Sequence, residues 1–153
     1  MTDLTGAGDA HTGQGAGSDA AALVVELGRR FRAGDRAGAR ALLDPDLRID
    51  QPASLPHGGA HHGPAGMDAM SAAFAEHWDR TIGEADVRPC GDGDTAVQIT
   101  TQTWTAKATG RSATVDVVEL FRTADGRIVE IRVFQQDTHA LLATLPAADA
   151  DAR

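Results

Sequence analysis

The order of patterns along the chain predicts an α+β fold, with a strongly curved and mostly antiparallel sheet covered on one face by N-terminal helices. Two observations carry this. Helical periodicity is concentrated in the first half, up to about residue 79. The second half holds three long strand-like segments joined by glycine-bearing turns, with no crossover helices between them. That second half also lacks a glycine-rich phosphate loop, which argues against a doubly wound α/β sheet. A strongly curved sheet wrapped round helices leaves a hollow at its open end, where small ligands usually bind.

The elements follow in order. Ser18 and Asp19 offer side-chain acceptors for the free first-turn amides of a helix from about Ala20 to Ala33. Leu23, Val24, Leu27 and Phe31 form its apolar stripe, and Gly34 ends it. Asp35 caps a shorter helix over RAGARALL, closed by Asp44-Pro45, and LRID then alternates as a short strand. Pro64 suits the first turn of a helix over about 64 to 79, with Met67, Met70, Phe74 and either His77 or Trp78 on one side. IGEADVRP is a weak strand. TAVQITTQTWTAK, SATVDVVELFR and RIVEIRVFQQ are strong ones, turned at Thr109-Gly110 and Asp125-Gly126. Leu141, Leu142 and Leu145 mark a last helical stretch.

With 153 residues the chain has room for one domain, expected over residues 21–145. Residues 1–20, rich in glycine and aspartate, and residues 146–153 are expected to be a disordered and a flexible tail. Formal net charge is -8, with neither a Lys/Arg cluster nor an aromatic ladder, so a nucleic-acid partner is not expected. No apolar run is long enough to cross a bilayer, and the N-terminus has no secretory pattern, so a cytoplasmic location is expected. The single Cys90 excludes an internal disulfide and a thiolate-rich zinc site.

The meander supplies the first candidates. Thr100, Gln102 and Trp104 share one face of their strand. In the next strand Asp116 stands among Val115, Val117 and Val118. A half-buried carboxylate there suits either proton transfer, its pKa raised by burial, or a structural ion pair with Arg132. Neither sheet face is cleanly polar, so a second copy covering the outer face, in a homodimer, is expected. The stretch PHGGAHHGPAG brings together His57, His61 and His62. Zinc would need three or four well-placed ligands, and adjacent His61 and His62 diverge, so no metal and no cofactor are expected. The segment reads instead as the rim loop of a pocket, with His61 the candidate inward-facing proton carrier.

The helix before AGD, ALLDPDLRID, PHGGAHHGPAGM and ELFRTADGRIVEIRVFQQDTHALL, taken in this order, resemble the SnoaL-like polyketide cyclase group of the nuclear-transport-factor-2-like superfamily. The resemblance covers about residues 21–145. It implies a cone-shaped α+β fold, frequent dimers and a pocket for small hydrophobic or cyclic molecules. Its known catalytic sets do not carry over residue by residue. The aspartate of the polyketide cyclases falls near Val133. The epoxide-hydrolase set falls at Thr100, Gln102 and Val133. The ketosteroid-isomerase base falls near Gln51 beside Asp50, and that enzyme's proton donor near Thr114.

The site expected from all this places Asp116, His61 and Asp50 as proton-transfer groups. Gln102, Trp104, Phe74, Met70, Trp78 and Val133 would contact the ligand. Such a pocket fits a cofactor-independent cyclase or isomerase acting on a small cyclic or polyketide-like carbonyl compound. The alternative is a non-catalytic small hydrophobic ligand-binding or accessory protein with the same pocket. A scaffold working through its outer sheet face is the third reading.

Overall fold

The computed structural model describes residues 19–148, so the expected tails lie mostly outside the described residues. Helix α1 (Ala20–Arg32) starts where the Asp19 carboxylate accepts from the Ala21 amide at 3.0 Å. Ala20, assigned to the tail by composition, is instead fully buried at the first helical position. Val24 and Leu27 are buried as the stripe predicts, while Phe31, in the last turn, stays 46% exposed. Asp35 caps α2 (Arg36–Ala41) through the Gly38 amide, after which the chain passes into β1 (Leu43–Gln51). This strand is longer than the alternating LRID because a register irregularity lets Asp44-Pro45 ride along its edge.

After β1 come β2 (Gly59–His62), α3 (Gly63–His77), β3 (Trp78–Ile82) and β4 (Asp86–Cys90). The three long strands β5 (Thr95–Ala106), β6 (Ser112–Ala124) and β7 (Arg127–Gln135) follow, then α4 (Thr138–Leu142). The sheet runs β2-β1-β7-β6-β5-β3, with β4 also paired to β5. Among the described residues only β1 and β7 pair in parallel; the other pairings are antiparallel. The Asp125-Gly126 turn takes left-handed backbone at both residues (φ 50° and 75°), the geometry of a tight two-residue hairpin. A bulge between Arg122 and Thr123 then shifts the β6–β7 register and adds to the curl. The result is a half-barrel closed over helices, the cone-shaped α+β fold that the resemblance implies.

The core gathers under α1. Trp78 and Trp104 are 1% exposed, and Ile128 and Leu141 are fully buried. Trp78 ends α3 and opens β3, so it packs inward as a strand residue; its Nε1 donates to Thr144 Oγ1 at 2.8 Å. Helix α3 behaves differently from α1. Over its 15 residues it buries none completely, although Met67, Met70 and Phe74 pack partly against the core. A helix whose apolar face is only half covered is walling a hollow rather than filling a centre. Among the described residues no helix is long and apolar enough to cross a membrane.

Candidate functional site

The hollow at the open end of the cone is a cavity of about 130 Å³. Its apolar walls are Phe74 and Met70 from α3, with Trp104, Val117 and Val133 from the sheet. A space of this size holds one small ring, since a cavity of comparable volume takes benzene. The polar lining comes from separate elements: His57, Arg80, Gln102, Glu119, Gln51 and Gln135. A larger hollow beside α1, about 410 Å³, is lined by Val24, Val25, Ile82 and Val87 with Arg32, Glu84 and Gln98, and holds no histidine and no buried carboxyl.

Glu119 is the cavity's carboxylate. On β6 it lies between the buried Val117 and Phe121, two positions to either side, so strand geometry turns it inward with them. Gln98, directly opposite on β5, donates from Nε2 to Glu119 Oε2 at 2.7 Å. Burial raises the pKa of this carboxyl; the Gln98 hydrogen bond and the charge of Arg80 only partly offset that.

His57 is the inward histidine. The loop after β1 turns tightly enough that a Cβ on Gly58 would sit 2.3 Å from the Pro52 carbonyl, so only glycine fits there. The turn drives His57 into the hollow, 3% exposed, against Phe74, Trp78 and Trp104 at ring distances of 5.3, 6.1 and 5.7 Å. Its Nδ1 is buried without a hydrogen-bond partner. Desolvation, followed by the nearby positive charge of Arg80, lowers its pKa to about 4, so the ring is neutral at pH 7.

Several expected site residues stand here. Gln102 and Trp104 are buried and point inward, and Trp104 Nε1 donates to Gln102 Oε1 at 2.9 Å. Gln102 Nε2 donates in turn to Thr100 Oγ1, also at 2.9 Å. Because the indole N–H can only donate, this chain fixes which way the Gln102 amide faces. Phe74, Met70 and Val133 line the hollow as expected. Trp78 lies one layer deeper, stacked on Phe74 and Trp104 at 5.8 and 5.3 Å, and supports the wall rather than forming it.

The three residues expected to transfer protons lie elsewhere. Asp116 is exposed on the outer face, where Thr101 Oγ1 donates to it at 2.7 Å. The register pairs Gln102 with Val115 and Thr101 with Asp116, so Asp116 cannot share a face with Gln102. Asp50 also sits on the outer side, paired with Arg48 at 2.9 Å. That hydrogen bond, more than any other cause, lowers its pKa. Its neighbour Gln51 is the one that reaches the cavity. His61 is half-buried on β2, opposite Ile49, and its Nε2–H donates to the His57 carbonyl at 2.9 Å. It therefore holds the loop that carries the inward histidine. His62 is exposed at the start of α3. Among the described residues no group of three or more His, Cys, Asp or Glu is placed to hold a metal ion.

The buried neutral histidine has a consequence for stability. The unfolded chain binds a proton on His57 near pH 6.5 and the folded chain only near pH 4. The contribution is therefore complete above pH 6.5 and is lost as pH falls towards 4. Because the ring borders an open hollow, its desolvation is incomplete, and about 1–3 kcal/mol is the scale of the effect. Glu119 acts oppositely, since its raised folded pKa favours the native state as pH falls through that value. Urea unfolding at pH 7 and pH 4.5 should show a larger loss in the wild type than in His57→Asn. Equal losses would mean that the ring is effectively solvated.

A curled mixed sheet closed over helices around a small, polar-studded hollow defines the nuclear-transport-factor-2-like class of α+β cones. Within it, the chain belongs to the SnoaL-like domain family, whose profile matches residues 24–131. No curated protein sequence matches it. Among solved structures, an NTF2-like protein of unknown function from Burkholderia pseudomallei is 27% identical, covering 86% of this chain and 100% of that one at a TM-score of 0.73. A protein from Pseudomonas putida, described as a candidate polyketide cyclase, is 20% identical over 85% and 100% of the two chains, with a TM-score of 0.69. TerC, co-crystallised with polyporic acid, is 22% identical over 83% and 98%, with a TM-score of 0.66.

Proposed function

We propose that this chain is a cofactor-independent cyclase or isomerase that binds a small cyclic carbonyl compound in the cone and moves a proton on it through Glu119. The observation that carries this reading is a carboxyl of raised pKa inside the one hollow that also holds a neutral, unpartnered imidazole. With Oε2 held by Gln98, the other carboxyl oxygen is left to take a proton from a carbon next to a carbonyl and return it. A raised pKa narrows the gap between this carboxyl and a weakly acidic C–H, which helps the transfer. The neutral His57 ring and the second N–H of Gln102 are placed to hydrogen-bond the carbonyl oxygen as negative charge develops there. The family assignment and the polyketide-cyclase-like neighbour support this chemistry, and TerC's co-crystallised polyporic acid supports a small-molecule role for the cone.

One observation favours the second reading, a binder without chemistry. The Gln102 amide is already engaged on both sides by Trp104 and Thr100, as in a wall built to be satisfied internally. Deuterium incorporation next to the carbonyl of cyclohexanone and cyclopentanone in D2O, followed by NMR, separates the two. Catalysed exchange supports proton transfer, whereas saturable ligand binding without exchange supports the binder.

The outer sheet face is the proposed homodimer surface. Phe134 is 48% exposed there beside the half-buried Val118, its direct partner across β6 and β7. A monomer by sedimentation equilibrium at micromolar concentration would remove this part of the proposal.

A further inference from the structure

The polar groups of the hollow include one cation and one acceptor that the mechanism above does not use. Arg80 comes from β3, where it pairs with Trp104 and so points inward. Its guanidinium lies over the Phe74 ring, 4.8 Å from the centroid, which holds it at the mouth. Among the described residues it donates to no protein acceptor and has no carboxylate within 4 Å. Its neighbours Asp79 and Lys107 pair with each other at 3.6 Å instead. A planar fork of five N–H donors facing a hollow matches the two oxygens of a carboxylate.

The opposite requirement comes from β7. Met70 Sδ can only accept, so the nitrogen of the Gln51 amide faces it at 3.6 Å. Gln51 Oε1 then receives the Gln135 amide N–H at 3.3 Å, which leaves Gln135 Oε1 buried and unpartnered. A buried acceptor without a donor has lost its water and gained nothing for it, and a ligand O–H or N–H removes that cost. Strands β7 and β3 lie on either side of the β6–β5 pair, and the curl of the sheet makes them facing walls of one cavity.

We propose that the cone selects a compact single-ring acid, its carboxylate on Arg80 at the mouth and a ring hydroxyl or N–H on Gln135 Oε1 across the hollow. This rests on the reading of the cone as the ligand site and names its substrate class: small cyclic carbonyl compounds that also carry a carboxylate. Apolar walls of Phe74, Met70, Val117 and Val133 grip the ring between the two polar ends.

The test is calorimetric titration of the full chain with benzoate, 4-hydroxybenzoate and their neutral, near-isosteric amides. The acids should bind at least about tenfold more tightly than the amides, and 4-hydroxybenzoate more tightly than benzoate. Arg80→Gln should erase the acid preference while leaving the amides unchanged, and Arg80→Lys should restore part of it. Cooperative thermal melts of both variants, with binding of the neutral amides retained, show that the acid preference is read on folded protein. Equal affinity for acid and amide, an acid preference that survives Arg80→Gln, or a parallel loss for both ligand types would overturn the proposal. So would the absence of any binding at millimolar concentration. Its failure is separable from that of the catalytic reading. Acid binding by the wild type with no proton exchange on any ketone defeats only catalysis, and exchange without acid preference defeats only this inference; Glu119→Gln should still bind the acids under either reading.

Discussion

Replacing Glu119 with glutamine is expected to lower the rate of carbonyl-adjacent proton exchange by about 10²–10⁴-fold, the usual range for a positioned general base. The same substitution should make the protein more stable at neutral pH. Glutamine keeps an oxygen for the Gln98 amide while removing a carboxyl whose ionised form is disfavoured by burial. Removing such a group commonly stabilises by about 0.5–2 kcal/mol, which raises the melting temperature by a few degrees. Loss of exchange together with a higher melting temperature marks a residue kept for chemistry. A lower melting temperature would instead mark Glu119 as a structural partner of Gln98. Unchanged exchange would remove it from the mechanism.

The second large effect concerns the floor of the hollow. Trp78→Ala is expected to destabilise the fold by about 3–5 kcal/mol in urea unfolding, the range for deleting a buried aromatic side chain. Trp78 is 1% exposed, stacks on Trp104, Phe74 and His57, and ties α3 to the segment after α4 through Thr144. Thr144 is itself anchored, since its hydroxyl donates to the Leu141 carbonyl and its own carbonyl accepts from Thr109 Oγ1. Trp78→Phe should keep most of the packing and lose mainly the hydrogen bond, at about 1–2 kcal/mol. A cost for Trp78→Ala below about 1 kcal/mol would show that the aromatic cluster is not the floor it is described as.

Much of the frame was legible because it rests on local chemistry. Asp19 and Asp35 cap helices where the sequence puts them, and the Asp125-Gly126 turn forms the hairpin its two residues favour. Alternation within single strands also reads correctly. Gln102 and Trp104 share the inner face of β5, and Val133 lies on the inner face of β7. The failures lie in relations between elements. Asp116 is an inward candidate only if the hairpin register differs by one residue, which moves every side chain to the opposite face. The signal was nonetheless present. Ala106 and Arg111 close a connection with an even number of residues. Any even connection sets even positions of β5 against odd positions of β6, which places Glu119, not Asp116, beside the Gln102 face. The bulge at Arg122 and Thr123 has no such signal, because no residue type there demands it.

Loops and element junctions were the least legible. PHGGAHHGPAG has no period to say which histidine turns inward. His57 is chosen by the close approach of Gly58 to the Pro52 carbonyl, a tertiary fact. Trp78 fits the apolar stripe of α3 by spacing, yet the helix stops at His77 and WDRTI pairs with β5 as a strand. Arg80 carries no sequence signal of a cavity residue, since its inward direction depends on that pairing.

The proposed function resides inside the cone, at Glu119 and His57, and not on the outer face at Asp116 and Thr101. A crystal structure of the protein with 4-hydroxybenzoate tests this most directly. The ring is expected between Phe74 and Val133, with the Glu119 carboxyl and the His57 imidazole against it. Ligand density over Asp116, with the hollow closed by its own aliphatic side chains, would contradict it.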